Sequence, residues 1–414
     1  MSSARPAEPV FSPLDNRLGL LPGQFSPFLI QAIVRLGTAL PFEQVPDLLA
    51  FLTGVHIAAD TVRRITEGAG SAQVAVEERD LVLLERDLPE PPEGAAVQQV
   101  SADGAMVPLV EGQWAEVRTV AVGTLETDDG DGCVHAQDIT YFSRLCSADA
   151  FIRQAALPLH ERGLARSTTV VAVMDGASWL QEFIDAHCPH AIRVLDFPHA
   201  VEYLSKAAQA AFGAGSREAS VWLDEWAPKL KASNPDAVLA AIRGLPMPDA
   251  EANAVREQVL GYLTKRRGQI AYAQFRAAGY PIGSGMVESA NKLVVEARLK
   301  GSGMHWERRN VTPMLALRGI ACSDRWEQAW PGIWQELHDQ DTRRRRDHRA
   351  QRAERAREKQ QATEHERTTD DPPSPARSRP LPPPMMIDGR PTRHHPWRRF
   401  RLPGSPLLPP APKP

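Results

Sequence analysis

The sequence predicts an α/β protein: a mixed sheet with an antiparallel edge and a helical insertion, an all-helical segment before it and a charged tail after it. Two observations carry this expectation. Val97–Leu109, Ala115–Leu125 and Gln137–Leu145 are three β-rich runs bounded by turn residues. Thr168–Met174 reads TTVVAVM, the continuous β-branched and apolar run of a parallel strand buried on both faces, and Ala191–Leu195 is a second such run. With helical patterns at 148–162, at 179–186 and from His199 onward, the order is three strands, helix, strand, helix, strand, helix.

The segments around the sheet follow from pattern and punctuation. Residues 1–24 read as a flexible, proline-bearing lead. Phe28, Leu29, Ala32, Ile33 and Leu36 recur at helical spacing, Phe42–Leu52 makes a second helix stopped by Gly54, and Ala58–Ile65 makes a short third. That layout is a helix-turn-helix, so residues 25–70 are expected to bind DNA, with Thr61, Arg63 and Arg64 facing bases or phosphates. The plainer alternative is a three-helix packing unit. Residues 71–95 read as a linker helix ending at Pro89, Pro91 and Pro92. The sheet and a returning helix occupy 96–199 and 281–335. Between them, 200–280 is a helical insertion with Trp222, Trp226, Leu230, Leu239, Ile242 and Leu260 as its core, and a basic knot at Lys265, Arg266 and Arg267. Asp128, Asp129 and Asp131 form a solvated turn between the second and third strands, with incomplete spacing for a calcium loop. Residues 336–414 are expected to be a disordered tail, basic from Arg343 to Arg346 and then rich in proline.

Composition narrows the partners. The length suits two to three domains, and 43% hydrophobic residues support a real core. The net charge of −3 divides unevenly: residues 341–414 hold 18 basic and 9 acidic residues, residues 1–340 hold 30 and 42. An acidic body with a basic tail points to nucleic acid near the tail, although solvating tails look the same. Cys133, Cys146, Cys188 and Cys322 form no CxxC pair, which argues against a zinc ribbon or a disulfide framework and fits a reducing cytoplasm. His187, Cys188 and His190 lack a second ligand cluster. With no apolar signal region and no apolar run of about 18 residues, no membrane span is expected.

Chemistry concentrates at three acids. Asp103 lies inside the first strand, in VSADGA. Asp175 directly follows the buried fourth strand, in VMDGA, where side chains of α/β sheets meet the functional crevice. Glu288 stands in the first turn of a helix that opens after Gly283-Ser284-Gly285, where the macrodipole favours an anion. Behind it come Lys292, Arg298 and Lys300, then Gly301-Ser302-Gly303 and His305-Trp306, a set suited to phosphates and a nucleobase. Each acid alone reads as a turn or cap residue. Together, on these elements, they suit two Mg²⁺ ions (Mn²⁺ is the alternative) roughly 3.5–4 Å apart, an arrangement that drives phosphoryl transfer.

These blocks resemble the DDE transposases of bacterial insertion sequences, of the ISKra family type. The resemblance spans about residues 15–335 and is carried by Asp103-Gly104, by MDGASW at 174–179, by VLDFPHAVEYL at 194–204, by IGSGMVESANK at 282–292 and by GMHW at 303–306. It implies a ribonuclease-H-like catalytic domain interrupted by an insertion domain, with Asp103, Asp175 and Glu288 as the metal-binding catalytic triad. Asp196 and His199 match a C/D-x-x-H motif found after the second acid in related enzymes. Relatives often carry a cysteine-rich ribbon before the helix-turn-helix, and this sequence shows none. The expected activity is cutting of insertion-sequence ends and joining to target DNA, by a homo-oligomer assembled on double-stranded DNA in the bacterial cytoplasm. Two other readings are a catalytically idle DNA-binding derivative and a metal-dependent nuclease without strand transfer.

Overall fold

Five strands form one mixed sheet: β1 (Val97–Pro108), β2 (Trp114–Thr127), β3 (Val134–Arg144), β4 (Thr169–Met174) and β5 (Ile192–Leu195), ordered β3-β2-β1-β4-β5. The structure is a computed structural model and describes residues 25–127, 134–232, 235–369, 385–387, 390–392 and 395. The expected lead at 1–24, the aspartate turn at 128–132 and most of the proline-rich tail lie outside the described residues. β1, β2 and β3 pair antiparallel, while β4 joins β1, and β5 joins β4, in parallel. The strand expectations therefore hold to within a few residues.

Each sheet face buries its own core. On one face α4 (Ala148–Glu161), capped by the Ser147 hydroxyl, and α5 (Ser178–His187) cover Val100, Ala102, Val120, Phe142 and Met174 with Phe151 and Phe183. Truncating either phenylalanine to alanine would cost about 3–5 kcal/mol. The other face carries α6 (Phe197–Phe212), α7 (Arg217–Ala232), α8 (Pro235–Arg243), α9 (Ala250–Lys265) and α10 (Tyr272–Ala277). Their Leu204, Leu239, Ile242 and Leu263 share one core with Val171, Val173, Val194 and Leu195 of the sheet, so the helical stretch is fused to the sheet through packing. Farther along that face lie α11 (Gly285–Ala290), a π-helical segment (Asn291–Glu296), the short α12 (Ala297–Leu299) and α13 (Arg308–Cys322).

Two boundaries differ from the sequence expectation. Helices α1 (Pro27–Ala39) and α2 (Val45–Thr53) are followed by α3 (Ala59–Asp87), one helix of 29 residues that unites the expected recognition helix with the expected linker. Within it Gly70 serves close packing: a Cβ on it would collide with the backbone carbonyl of Pro313 in α13. The helical N-terminal segment is accordingly packed into the body, where Ile30, Val34 and Ala69 meet Leu317 and Ile333. The second correction concerns the tail. Helix α14 (Trp326–Thr369) runs for 44 residues through the segment expected to be disordered. Its Ala, Arg, Glu and Gln content is strongly helix-forming, and charge alone does not melt such a run.

The chain divides into two units, 1–346 and 347–414. In the second, besides helix, Met386–Ile387 pairs with Arg390–Pro391. Among the described residues no helix is long and apolar enough to cross a membrane.

Candidate active site

Strand register gathers the acids. Val100 of β1 pairs with Ala172 of β4; Asp103 lies three residues beyond the first and Asp175 three beyond the second. Met174 pairs with Leu195, and Asp175 and Asp196 are the residues that follow them. Toward the opposite edge Asp103 pairs with Thr119, and Thr119 with Ser143. One level of the sheet therefore reads Ser143, Thr119, Asp103, Asp175, Asp196, an unbroken polar row across the sheet. The Thr119 and Ser143 hydroxyls are fully buried and hydrogen-bond each other at 2.9 Å.

Asp103 is half-buried and feels its neighbours. Burial raises its carboxyl above the ordinary aspartate value; the charges of Asp175 and Glu288 add to the rise, against hydrogen bonds from the Gly104 amide and Asn291. The charges of Asp175 and Glu288 thus act on Asp103, and Asn291, in the segment that follows α11, bonds it directly. Among the described residues no three His, Cys, Asp or Glu side chains are grouped so that they could hold a metal ion as they stand. Each acid turns to a neighbour: Asp103 accepts from Gly104 N at 2.7 Å and Asn291 Nδ2 at 2.9 Å, Asp175 from Ala177 N at 2.8 Å, and Glu288 from Ser284 Oγ at 3.3 Å. Glu288 stands in the first turn of α11, as its sequence position predicts.

Asp196 fixes the carrier of Glu288. The buried carboxylate accepts the His199 amide at 3.0 Å, capping α6, and the Ser284 amide at 2.6 Å, just before α11. Beside it Phe197 N donates to Ile282 O at 2.9 Å. His199 contributes its backbone to this cap. Its ring packs edge-on against Tyr203 and Tyr262, and its Nδ1 lies 3.5 Å from Glu202.

Asn291 is a site residue that sequence reasoning singled out only as part of a motif. It opens the π-helical segment, and such segments occur disproportionately at functional sites. Its amide donates to Asp103, while its buried Oδ1 has no hydrogen-bond partner. Arg318 of α13 supports the segment by donating to the carbonyls of Val294 and Leu293. The donor set, three carboxylates and an orphaned amide oxygen, consists of hard oxygens and fits Mg²⁺ or Mn²⁺.

The expected DNA contacts separate into surface and interior. Arg64, Lys265, Lys292 and His305 are exposed, and Thr61 is half-buried. Arg63 is exposed but paired with Asp60 at 2.5 Å and Glu67 at 3.3 Å; Arg267 pairs with Asp236 at 2.5 Å, and Lys300 with Glu296 at 2.8 Å. Arg298 and Trp306 are interior residues, only 2% and 6% exposed, which corrects their expected role on DNA. Arg298 donates Nε and Nη2 to Gly37 O at 3.2 Å, and its guanidinium lies 4.5 Å from the Phe42 ring centroid and 5.1 Å from that of Trp306. Burial, with Arg318 nearby, lowers its pKa to about 10. Arg318 reaches Thr38 O, so two cations meet the last-turn carbonyls of α1, where the helix dipole favours positive charge. Arg266 turns inward as well, donating to Gly176 O at 2.7 Å.

No protein-family model matches the chain, and no curated protein matches it.

Proposed function

We propose that the chain is a metal-dependent DNA transposase of the DDE type, built on a ribonuclease-H-like catalytic domain. The observation that supports this reading is that Asp103 lies in β1 and Asp175 just past its parallel partner β4, at one end of the mixed sheet, with Asp103 bonded to Asn291 one turn beyond Glu288. When bound, two divalent ions would relieve the repulsion on Asp103 and act as Lewis acids on the attacking and leaving oxygens of a phosphodiester. The chain's own residues supply the frame. Asp103, Asp175 and Glu288 would hold the ions. Asn291 orients Asp103, and the Asp196 cap holds the turn from which Glu288 rises. Exposed Lys292, Lys265 and His305 would meet DNA phosphates, and α1–α3 would act as the helix-turn-helix, with Arg64 of α3 reaching the duplex. The expected chemistry is hydrolysis at each transposon end, freeing a 3′-hydroxyl, followed by in-line attack of that hydroxyl on target DNA, by a homo-oligomer.

The test is cleavage and joining of end DNA with Mg²⁺, comparing the native chain with Asp175→Asn. A neutral amide is a poorer ligand for a hard cation, so the variant should bind DNA and fail to cut. Near-normal cutting by the variant removes Asp175 from the site. Cutting without joined products by the native chain favours a nuclease; DNA binding without cutting favours an idle derivative.

A further inference from the structure

The loop that carries Asp175 is held from the helical insertion. Arg266, at the end of α9, donates Nη2 to the carbonyl of Gly176 at 2.7 Å. Its guanidinium lies over Tyr262, 3.9 Å from the ring centroid, and Tyr262 stacks on Tyr203 at 3.9 Å with 5° between the planes. Gly176 is buried and has no room for a side chain, because a Cβ would collide with the Tyr262 hydroxyl and lie 2.7 Å from Arg266 Nε. Arg266 Nε is buried without a hydrogen-bond partner. Burying such a group costs free energy, so a stability role alone explains the arrangement poorly.

We propose that Arg266 is a positioning residue for the metal site: seated on Tyr262, it fixes the Gly176 peptide and thereby holds Asp175 level with Asp103. The proposal rests on the transposase reading above and assigns the insertion a direct hand in building the site. The guanidinium meets the Tyr262 ring and the Gly176 carbonyl at once, and the peptide it grips also donates the Ala177 amide to the Asp175 carboxylate. Lysine lacks the flat fork and would not reproduce the grip.

The test measures divalent-ion binding on the full-length chain, without DNA or turnover, by Mn²⁺ titration followed by electron paramagnetic resonance. Arg266→Met, Arg266→Lys and Gly176→Ala are compared with the native chain, and thermal unfolding is recorded for each. The expected result is a Mn²⁺ affinity about 10-fold or more lower in all three, the scale on which groups supporting metal ligands act, with a thermal transition retained. If the native chain binds Mn²⁺ and the folded variants match it within about twofold, a change far below that scale, the inference fails while the transposase reading stands. If the native chain binds no Mn²⁺, the reading itself fails and takes the inference with it. If Arg266→Met does not fold, Gly176→Ala decides, since it disturbs the same grip from the other side. Loss of the folded state in all three variants would make the contact a stabilising one only and would overturn the proposal.

Discussion

The Asp196 carboxylate joins two helix starts: one oxygen accepts the His199 amide of α6 and the other the Ser284 amide that precedes α11. Glu288 rises one turn later, so the position of a candidate ligand depends on a residue at the end of β5. Asp196→Ala should lower stability by roughly 1–3 kcal/mol, the scale for a charged group satisfying two buried donors. It should also depress Mg²⁺-dependent cutting by at least about 10-fold, as loss of support behind a ligand does. Denaturant unfolding and a cleavage assay measure the two effects, and a stability loss with full activity would detach Asp196 from the site.

Asp103 offers a pH test. Burial and the neighbouring carboxylates raise its pKa in the fold, so its ionised form costs stability. That cost is absent below the unfolded-state value of about 3.9, grows above it, and is complete above the folded value. Without divalent ions, Asp103→Asn should therefore melt higher than the native chain at pH 7, with an advantage that shrinks toward pH 4. Thermal scans in chelator across this range decide it; a lower melting point at pH 7 would contradict the repulsion.

On α3 the two arginines should differ. Arg63 already serves Asp60 and Glu67, whereas Arg64 is exposed with no such pair shown. Arg64→Ala should weaken end-DNA binding more than Arg63→Ala. If Arg64 meets a phosphate, its loss reduces the slope of log affinity against log salt by about 1. Titrations on end and random DNA at two salt concentrations test this, and unchanged binding by the double variant would make α3 a packing helix only.

The basic helix can be separated from the body. Glu336, buried, accepts from Arg343 at 2.6 Å and lies 3.4 Å from Arg79, so a cut at Gln340 would break a packed contact. A cut after Arg346 should leave the cooperative thermal transition of the body in place and lower DNA affinity in a salt-dependent way. Collapse of that transition would show that the later residues belong to the fold.

The sheet was legible because its strands are dense in β-branched residues and bounded by turns, and because Asp103-Gly104 and Asp175-Gly176 mark the right strand positions. The helix lengths were not. The recognition helix and the linker read as two elements, although Gly70 sits inside one helix to admit the Pro313 backbone, and Arg-rich α14 reads as disorder despite its helix-forming composition. Arg298 and Trp306 carry the chemistry of a nucleic-acid contact, and only tertiary packing shows them stacked inside the protein. The pairing of Asn291 with Asp103 spans 188 positions, and no local pattern announces such a bond.

The π-helical segment sets a phase. Glu288 and Asn291 precede or open it, and Arg298 follows it, locked onto Gly37. A wider turn absorbs one residue more than an α-turn and is already filled, so inserting a further residue between Leu293 and Glu296 would rotate everything upstream by about 100° relative to everything downstream. The chain could then satisfy its buried arginine clamp or face its acid and amide toward the sheet, but not both. Such an insertion changes no ligand, yet it would act as a clock error in the helix, separating an intact fold from an aligned site.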